Sequence, residues 1–231
     1  LVSSQYITIK NLSLHAQNAN YSNTLSIQGN SKRINLFNNH FESSTNKQFA
    51  PEAGLAIIQN ADSSLIVNNY VKGGSTGLYL GGSMSGKAQG VRLINNQFDH
   101  FNRTAIFTEY LDAAIIHGNV IDGTNSGSSS IALILKDLEN EFKVGSNRIL
   151  NLPGSGISVA NTQGTSAEPG LISNNMIHMA DGTDSSVAIV LSGSDYINIY
   201  HNSVNVEADS IAQLSIALFV DNSNNLDVQN N

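Results

Sequence analysis

Three cationic side chains, Arg92, His117 and Lys143, recur at intervals of 25 and 26 residues. Brought onto one surface, they could hold a carboxylate. One of them, or a nearby tyrosine, could then take a proton as a general base. Together these functions amount to β-elimination on an acidic sugar. The three residues share a surface only if the chain winds so that residues about 25 apart lie one above the next.

A repeated phrase supplies that winding. It is clearest as RINLFNNHF at 33–41, and it returns as LIVNNYV at 65–71, VRLINNQF at 91–98, AIIHGNVI at 114–121, FKVGSNRI at 142–149, LISNNMI at 171–177, INIYHNSV at 197–204 and LDVQNN at 226–231. A weaker copy, ITIKNLSL, opens the chain at 7–14. The second Asn of the phrase falls at Asn39, Asn69, Asn96, Asn119, Asn147, Asn175, Asn202 and Asn231, with Leu12 in that slot in the first copy. The intervals run 27, 30, 27, 23, 28, 28, 27 and 29 residues. A period of this size marks a solenoid, whose repeats bury their apolar faces by stacking. Short β-branched or Leu-rich segments precede each phrase, among them GLYLGG at 77–82, AIFTEY at 105–110 and IALILKD at 131–137. They are flanked by Gly, Ser or Asp, and helical spacing is poor throughout. The reading is all-β: a parallel β-helix of about eight coils, two strands to a coil, with an asparagine ladder. Asn tolerates left-handed backbone at the turn, and stacked amides satisfy polar groups that the turn would bury. Leu12 interrupts the ladder, so the first coil is expected to differ.

Composition excludes several classes. The chain has 231 residues, 40% apolar and 13% charged, against roughly 25% charged in ordinary soluble domains. The balance is made up by 31 Asn, 30 Ser and 19 Gly. Apolar residues on so regular a schedule build a core, which disordered chains cannot do. Eleven Lys and Arg in a chain of net charge −7 give no basic face for nucleic acid. There is no Cys, hence no disulfide framework or thiolate metal site. No apolar run approaches the 18 or so residues of a spanning helix. Residues 1–231 read as one β-helix. Neither end shows a recognisable cap, so a segment of a longer protein with adjoining domains is expected.

The phrase also sorts outward from inward residues. Four before the ladder position stand Asn35, Leu65, Arg92, Ile115, Lys143, Leu171, Asn198 and Asp227. Two before it stand Phe37, Val67, Ile94, His117, Gly145, Ser173, Tyr200 and Gln229. Arg92, His117 and Lys143 therefore lie on consecutive coils of one face and are the candidate catalytic set. Phe37, Val67 and Ile94, with Leu65 beside them, make an apolar stripe, expected to lie under loop 42–53 with its Phe49 and Pro51. Candidate ligand-binding residues are Phe37 and Tyr200 on this face and Tyr79, Glu109 and Tyr110 at the other strand, where Phe107 could add to an aromatic platform with the two tyrosines. Uneven loops at 42–53, 81–90, 123–130, 160–170, 178–186 and 205–214 could wall a cleft for a polymer. Glycosidase chemistry needs a carboxylate pair about 5–10 Å apart, for which Glu109 and Asp137 are the nearest candidates. No metal ligands are assigned. Ca²⁺ is the one cofactor left open, at Asp122-Gly123-Thr124 and Asp181-Gly182-Thr183, although Asp-Gly is first of all turn chemistry.

The pattern resembles the right-handed parallel β-helix repeats of secreted bacterial carbohydrate-active and surface proteins. The wording INIYHNSVNV is similar to repeats in large secreted proteins of the Bacteroidetes type. The resemblance implies a right-handed coil, an extracellular or cell-surface location, and a carbohydrate polymer or other surface component as partner. Polygalacturonase-like hydrolases on this fold carry Gly-His-Gly and Arg-Ile-Lys signatures, and neither occurs here. The first expectation is thus a non-catalytic surface, adhesive or glycan-binding module. The second is a polysaccharide lyase or glycoside hydrolase, and the third a phage or surface spike.

Overall fold

A computed structural model describes residues 1–16, 23–43, 54–180, 186–207 and 214–231. Among these residues nothing is helical. The strands stack in parallel as three long sheets of nine, eight and eight, each strand pairing with its copy one coil away. This is a parallel β-helix.

One coil shows the local logic. Arg92–Ile94 lies in the first sheet, Gln97–Asp99 in the second and Thr104–Glu109 in the third. Leu93 and Phe98 point inward and are at most 1% exposed, and Ile106 is fully buried. Two strands per coil were expected, and the structure has three. The unexpected sheet follows the ladder Asn, with strands of three to five residues such as Gln97–Asp99 and Arg148–Leu152. A three-residue strand holds one inward residue, too few to display a period of two. Its inward column, Phe41, Val71, Phe98, Ile121, Ile149 and Ile177, is at most 3% exposed.

The ladder runs unbroken from Asn39 to Asn231. Each side-chain amide donates to the carbonyl of the next, at 2.9 Å from Asn39 to Asn69, 3.0 Å from Asn96 to Asn119 and 2.8 Å from Asn202 to Asn231. Asn96 is typical. Its Oδ1 accepts the backbone N–H and the side-chain amide of Asn69, at 2.9 and 3.0 Å. Its Nδ2 donates to Asn119 Oδ1 and to the Ile66 carbonyl, both at 3.0 Å. An amide that is 1% exposed is thereby satisfied on both atoms, as a buried polar group must be.

The left-handed turn belongs to the preceding residue, not to the ladder Asn as the sequence suggested. Asn38, Asn68, Asn95, Ser146, Asn174 and His201 have φ between 53° and 56°, and Gly118 has 68°. A Cβ at Gly118 would stand 2.3 Å from Asn95 Oδ1. Two adjacent positions thus divide the work, one bending the chain and the other bonding along the stack.

The first coil differs, as expected. The Leu12 amide donates to Asn39 Oδ1 at 3.1 Å, but among the described residues no side-chain amide continues the ladder beyond it, and Leu12 is 49% exposed. Thr8–Lys10 and Ser13–Ala16 alternate exposed with half-buried residues, where middle coils bury theirs.

Candidate functional site

The outward columns are in register as expected. Asn35, Leu65, Arg92, Ile115, Lys143, Leu171, Asn198 and Asp227 are successive Cα partners. Phe37, Val67, Ile94, His117, Gly145, Ser173, Tyr200 and Gln229 form the neighbouring column. Arg92 and Lys143 therefore stand two strand spacings apart, about 10 Å, with His117 on the coil between. Lys143 Nζ is paired with Glu141 Oε1 at 2.8 Å. None of the three lines the concavity described below. Phe37 and Tyr200 share a column but are six coils apart, about 29 Å, so they cannot meet one small ligand. The Tyr200 hydroxyl donates to Asp227 Oδ2 at 2.5 Å, which pushes its own pKa up and holds the Asp227 carboxyl below the usual range. Phe37, Val67 and Ile94 are half-buried. Of the loop expected to cover them, residues 44–53, with Phe49 and Pro51, lie outside the described residues, as do Asp181, Gly182 and Thr183.

Three predicted ligand residues, Tyr79, Glu109 and Tyr110, do converge, where the third sheet turns back to the first. Tyr79 stacks on Phe107 with ring centroids 5.6 Å apart, and the pair is 5% and 8% exposed. The Tyr79 ring is therefore packed, and its hydroxyl donates to Glu109 Oε1 at 2.5 Å. Lys136 Nζ lies 3.5 Å from Glu109 Oε2, 3.7 Å from Asp137 Oδ2, and 5.8 Å from the centre of the Tyr110 ring. Burial opposes the charge on Lys136, but the two carboxylates outweigh it and raise its pKa. The expected Glu109–Asp137 pair thus holds an ammonium between its members. That is an ion-paired triad rather than an acid and a base separated by water.

Loop 81–90 is knitted onto this corner. The Gly82 amide donates to the Glu109 carbonyl at 2.9 Å and the Ala88 amide to the Tyr110 carbonyl at 3.0 Å. Ala88–Gln89 then pairs in parallel with Leu111–Asp112. Beside the loop opens a concavity of about 600 Å³, whose lining includes Asn30, Lys32, Asn60, Asp62, Lys87 and Gln89. Lys32 pairs with Asp62 at 3.6 Å, and Lys87 pairs with Glu139. The wall thus offers amides, which both donate and accept, next to charges already neutralised in pairs.

Asp122 was a candidate calcium ligand. Its Oδ1 accepts from the Thr124 amide at 3.0 Å and the Thr124 hydroxyl at 2.6 Å. Burial raises its pKa, but these bonds and Asn151 overcome that and lower it. The carboxylate closes its own turn.

A fourth group was missed by sequence reasoning. On the outer face of the second sheet, His15, Glu42, Lys72, Asp99 and Asp122 form one column, with His40 and Tyr70 beside it. Glu42 Oε1 lies 2.9 Å from Lys72 Nζ, and its Oε2 faces His15 Nδ1 at 3.4 Å and His40 Nε2 at 3.3 Å. The hydrogen bond from Lys72 holds the Glu42 carboxyl below its usual range. The Tyr70 hydroxyl donates to Asp99 Oδ2 at 2.7 Å, and burial and that bond push its pKa up. Alternation continued past the ladder Asn would have found this column, three residues after each rung.

No family model matches the chain, and no curated protein matches it in sequence. Among solved structures it is similar to a crystal structure of PfbA, a surface adhesin of Streptococcus pneumoniae, at 14% identity and a TM-score of 0.57. The likeness covers 94% of this chain and 63% of the other, so the chain spans less than two thirds of that structure. A second structure of the Streptococcus pneumoniae surface protein and adhesin PfbA matches at 13% identity and a TM-score of 0.46, over 94% of this chain and 68% of that one. At this identity the likeness is one of fold: a parallel β-helix of the kind found in a bacterial surface adhesin.

Proposed function

We propose that this chain is a non-catalytic, extracellular β-helix module that acts as an adhesive surface and binds glycan in the groove beside loop 81–90. The observation that carries the reading is the groove's lining of amides and paired charges. Sugar hydroxyls need partners that both donate and accept, and a few placed polar groups give a site its specificity. The fold it shares with a pneumococcal surface adhesin supports the adhesive role. The charges at this corner are bound up in pairs, which suits binding better than proton transfer. The experiment is a glycan microarray with the whole chain, repeated with Asn30→Ala and Lys87→Ala combined. Binding that the double variant loses, with an unchanged circular dichroism spectrum, is the expected result. Binding indifferent to those changes would overturn the assignment of the groove.

A second reading, a polysaccharide lyase on the first sheet, is favoured by one observation: the register that aligns Arg92 with Lys143 around His117. Incubation with uronate polymers, following ultraviolet absorbance of the unsaturated product, decides it. On the first reading no absorbance develops.

A further inference from the structure

The second sheet brings two imidazoles and a carboxylate from successive coils to one point. We propose that His15, His40 and Glu42 bind a divalent transition-metal ion of the zinc class, which clips the first coil to the second. This site stands apart from the groove beside loop 81–90 and does not depend on glycan binding there.

The donors are close to bonding geometry. Glu42 Oε2 lies 3.4 Å from His15 Nδ1 and 3.3 Å from His40 Nε2, and all three donor atoms lie within 4.8 Å of one another. A tetrahedral zinc with ligands at about 2.0–2.2 Å holds its donors about 3.4 Å apart. Two of the three pairs already stand at that separation. Closing the third needs only a small rotation of the His15 side chain, which is 50% exposed. Two imidazoles and one carboxylate suit zinc and its neighbours, whereas Ca²⁺ and Mg²⁺ take shells of oxygen. The fourth position is left to water, as in open zinc sites.

The surrounding groups are of the kind that orient metal ligands. Ser13 Oγ lies 2.8 Å from His15 Nε2. It can accept the N–H there, leaving the lone pair on Nδ1 facing Glu42. Lys72 takes the other oxygen of Glu42 at 2.9 Å and so turns Oε2 toward the imidazoles. The Tyr70 ring packs 4.9 Å from His40. His40 Nε2 is itself buried and makes no hydrogen bond among the described residues, and a metal would use that lone pair. The clip also falls where it is needed. Leu12 breaks the ladder between these two coils, and a bond from His15 to His40 and Glu42 spans the same step.

The test uses the whole chain without a histidine tag, titrated with ZnCl₂ by calorimetry and with CoCl₂ by visible absorbance. One zinc per chain is expected, with a cobalt spectrum of low coordination number. The melting temperature should rise with ZnCl₂ and stay unmoved by CaCl₂. His15→Ala, His40→Ala and Glu42→Gln should each weaken binding by roughly 100-fold or more, and Ser13→Ala by roughly tenfold. His178→Ala removes the histidine of a separate pair with Glu207 and should change nothing. Should His40→Ala fail to fold, His15→Ala and Glu42→Gln still decide, with metal-free circular dichroism as the control. No heat with zinc overturns the proposal, as does binding that survives both of those variants or disappears with His178→Ala. The three side chains would then be an ordinary ion-paired cluster.

Discussion

The middle coils and the first coil solve the same problem differently. Between Asn96, Asn119 and Asn147 each turn is closed by a buried amide that bonds forward, backward and to the backbone. Between the first coil and the second, Asn39 accepts the Leu12 amide and donates to the Ile9 carbonyl, and among the described residues no side-chain rung lies beyond it. A further side-chain link stands on the outside, where His15 faces His40 and Glu42. The comparison teaches that stacking alone does not complete a coil. Buried turn groups need partners one step away, and a coil without its Asn lacks the side-chain rung while keeping its backbone bonds to the next.

That contrast can be broken most severely in the middle. Asn119→Leu strips Asn96 of the acceptor for both its backbone and side-chain N–H groups inside the core. Unsatisfied buried donors cost roughly 1–3 kcal/mol each, so unfolding in urea should show a loss of about 2–5 kcal/mol. The opposite change sharpens the contrast. Leu12→Asn extends the ladder by one rung and should gain about 1 kcal/mol, read as a higher urea midpoint at unchanged slope. Ser146→Gly relaxes a left-handed residue (φ 55°) without touching the ladder and should stabilise by roughly 0.5–1 kcal/mol.

A pH profile separates turn chemistry from ladder chemistry. The Asp122 carboxyl is held below its unfolded value, so its contribution is present at neutral pH and is lost as pH falls through the lowered value. Asp122→Asn should flatten the acid limb of stability against pH, while Asn119→Leu should lower the whole curve without changing its shape. The smallest effect belongs to Lys143→Ala on the outer face, expected within about 0.5 kcal/mol by the same urea measurement.

Much of the fold could be read from residue order. Leu36, Ile66, Leu93, Ile116, Val144, Ile172 and Ile199 recur because each must fill the same slot in the stack, and the Asn column recurs because each turn buries the same polar groups. The second sheet escaped notice because Gln97–Asp99 is too short to show alternation. The division between Asn95, which bends, and Asn96, which bonds, was invisible because one residue type serves both roles. The site was less legible. That Glu109 and Asp137 lie near each other at strand ends on neighbouring coils could be read from the register, but that Lys136 sits between them depends on side-chain reach across a coil.

The amino-acid order by itself determined the parallel coil, its pitch in residues, its ladder and the facing of its columns. Periodicity encodes all of these, because every coil repeats the same burial. Only the tertiary structure decided which outer groups meet: the side chains of His15, His40 and Glu42, and the backbone of loop 81–90 with that of Glu109 and Tyr110. These contacts join residues about 27 apart through unequal loops and particular rotamers. No repeated burial constrains them, so they leave no period in the sequence.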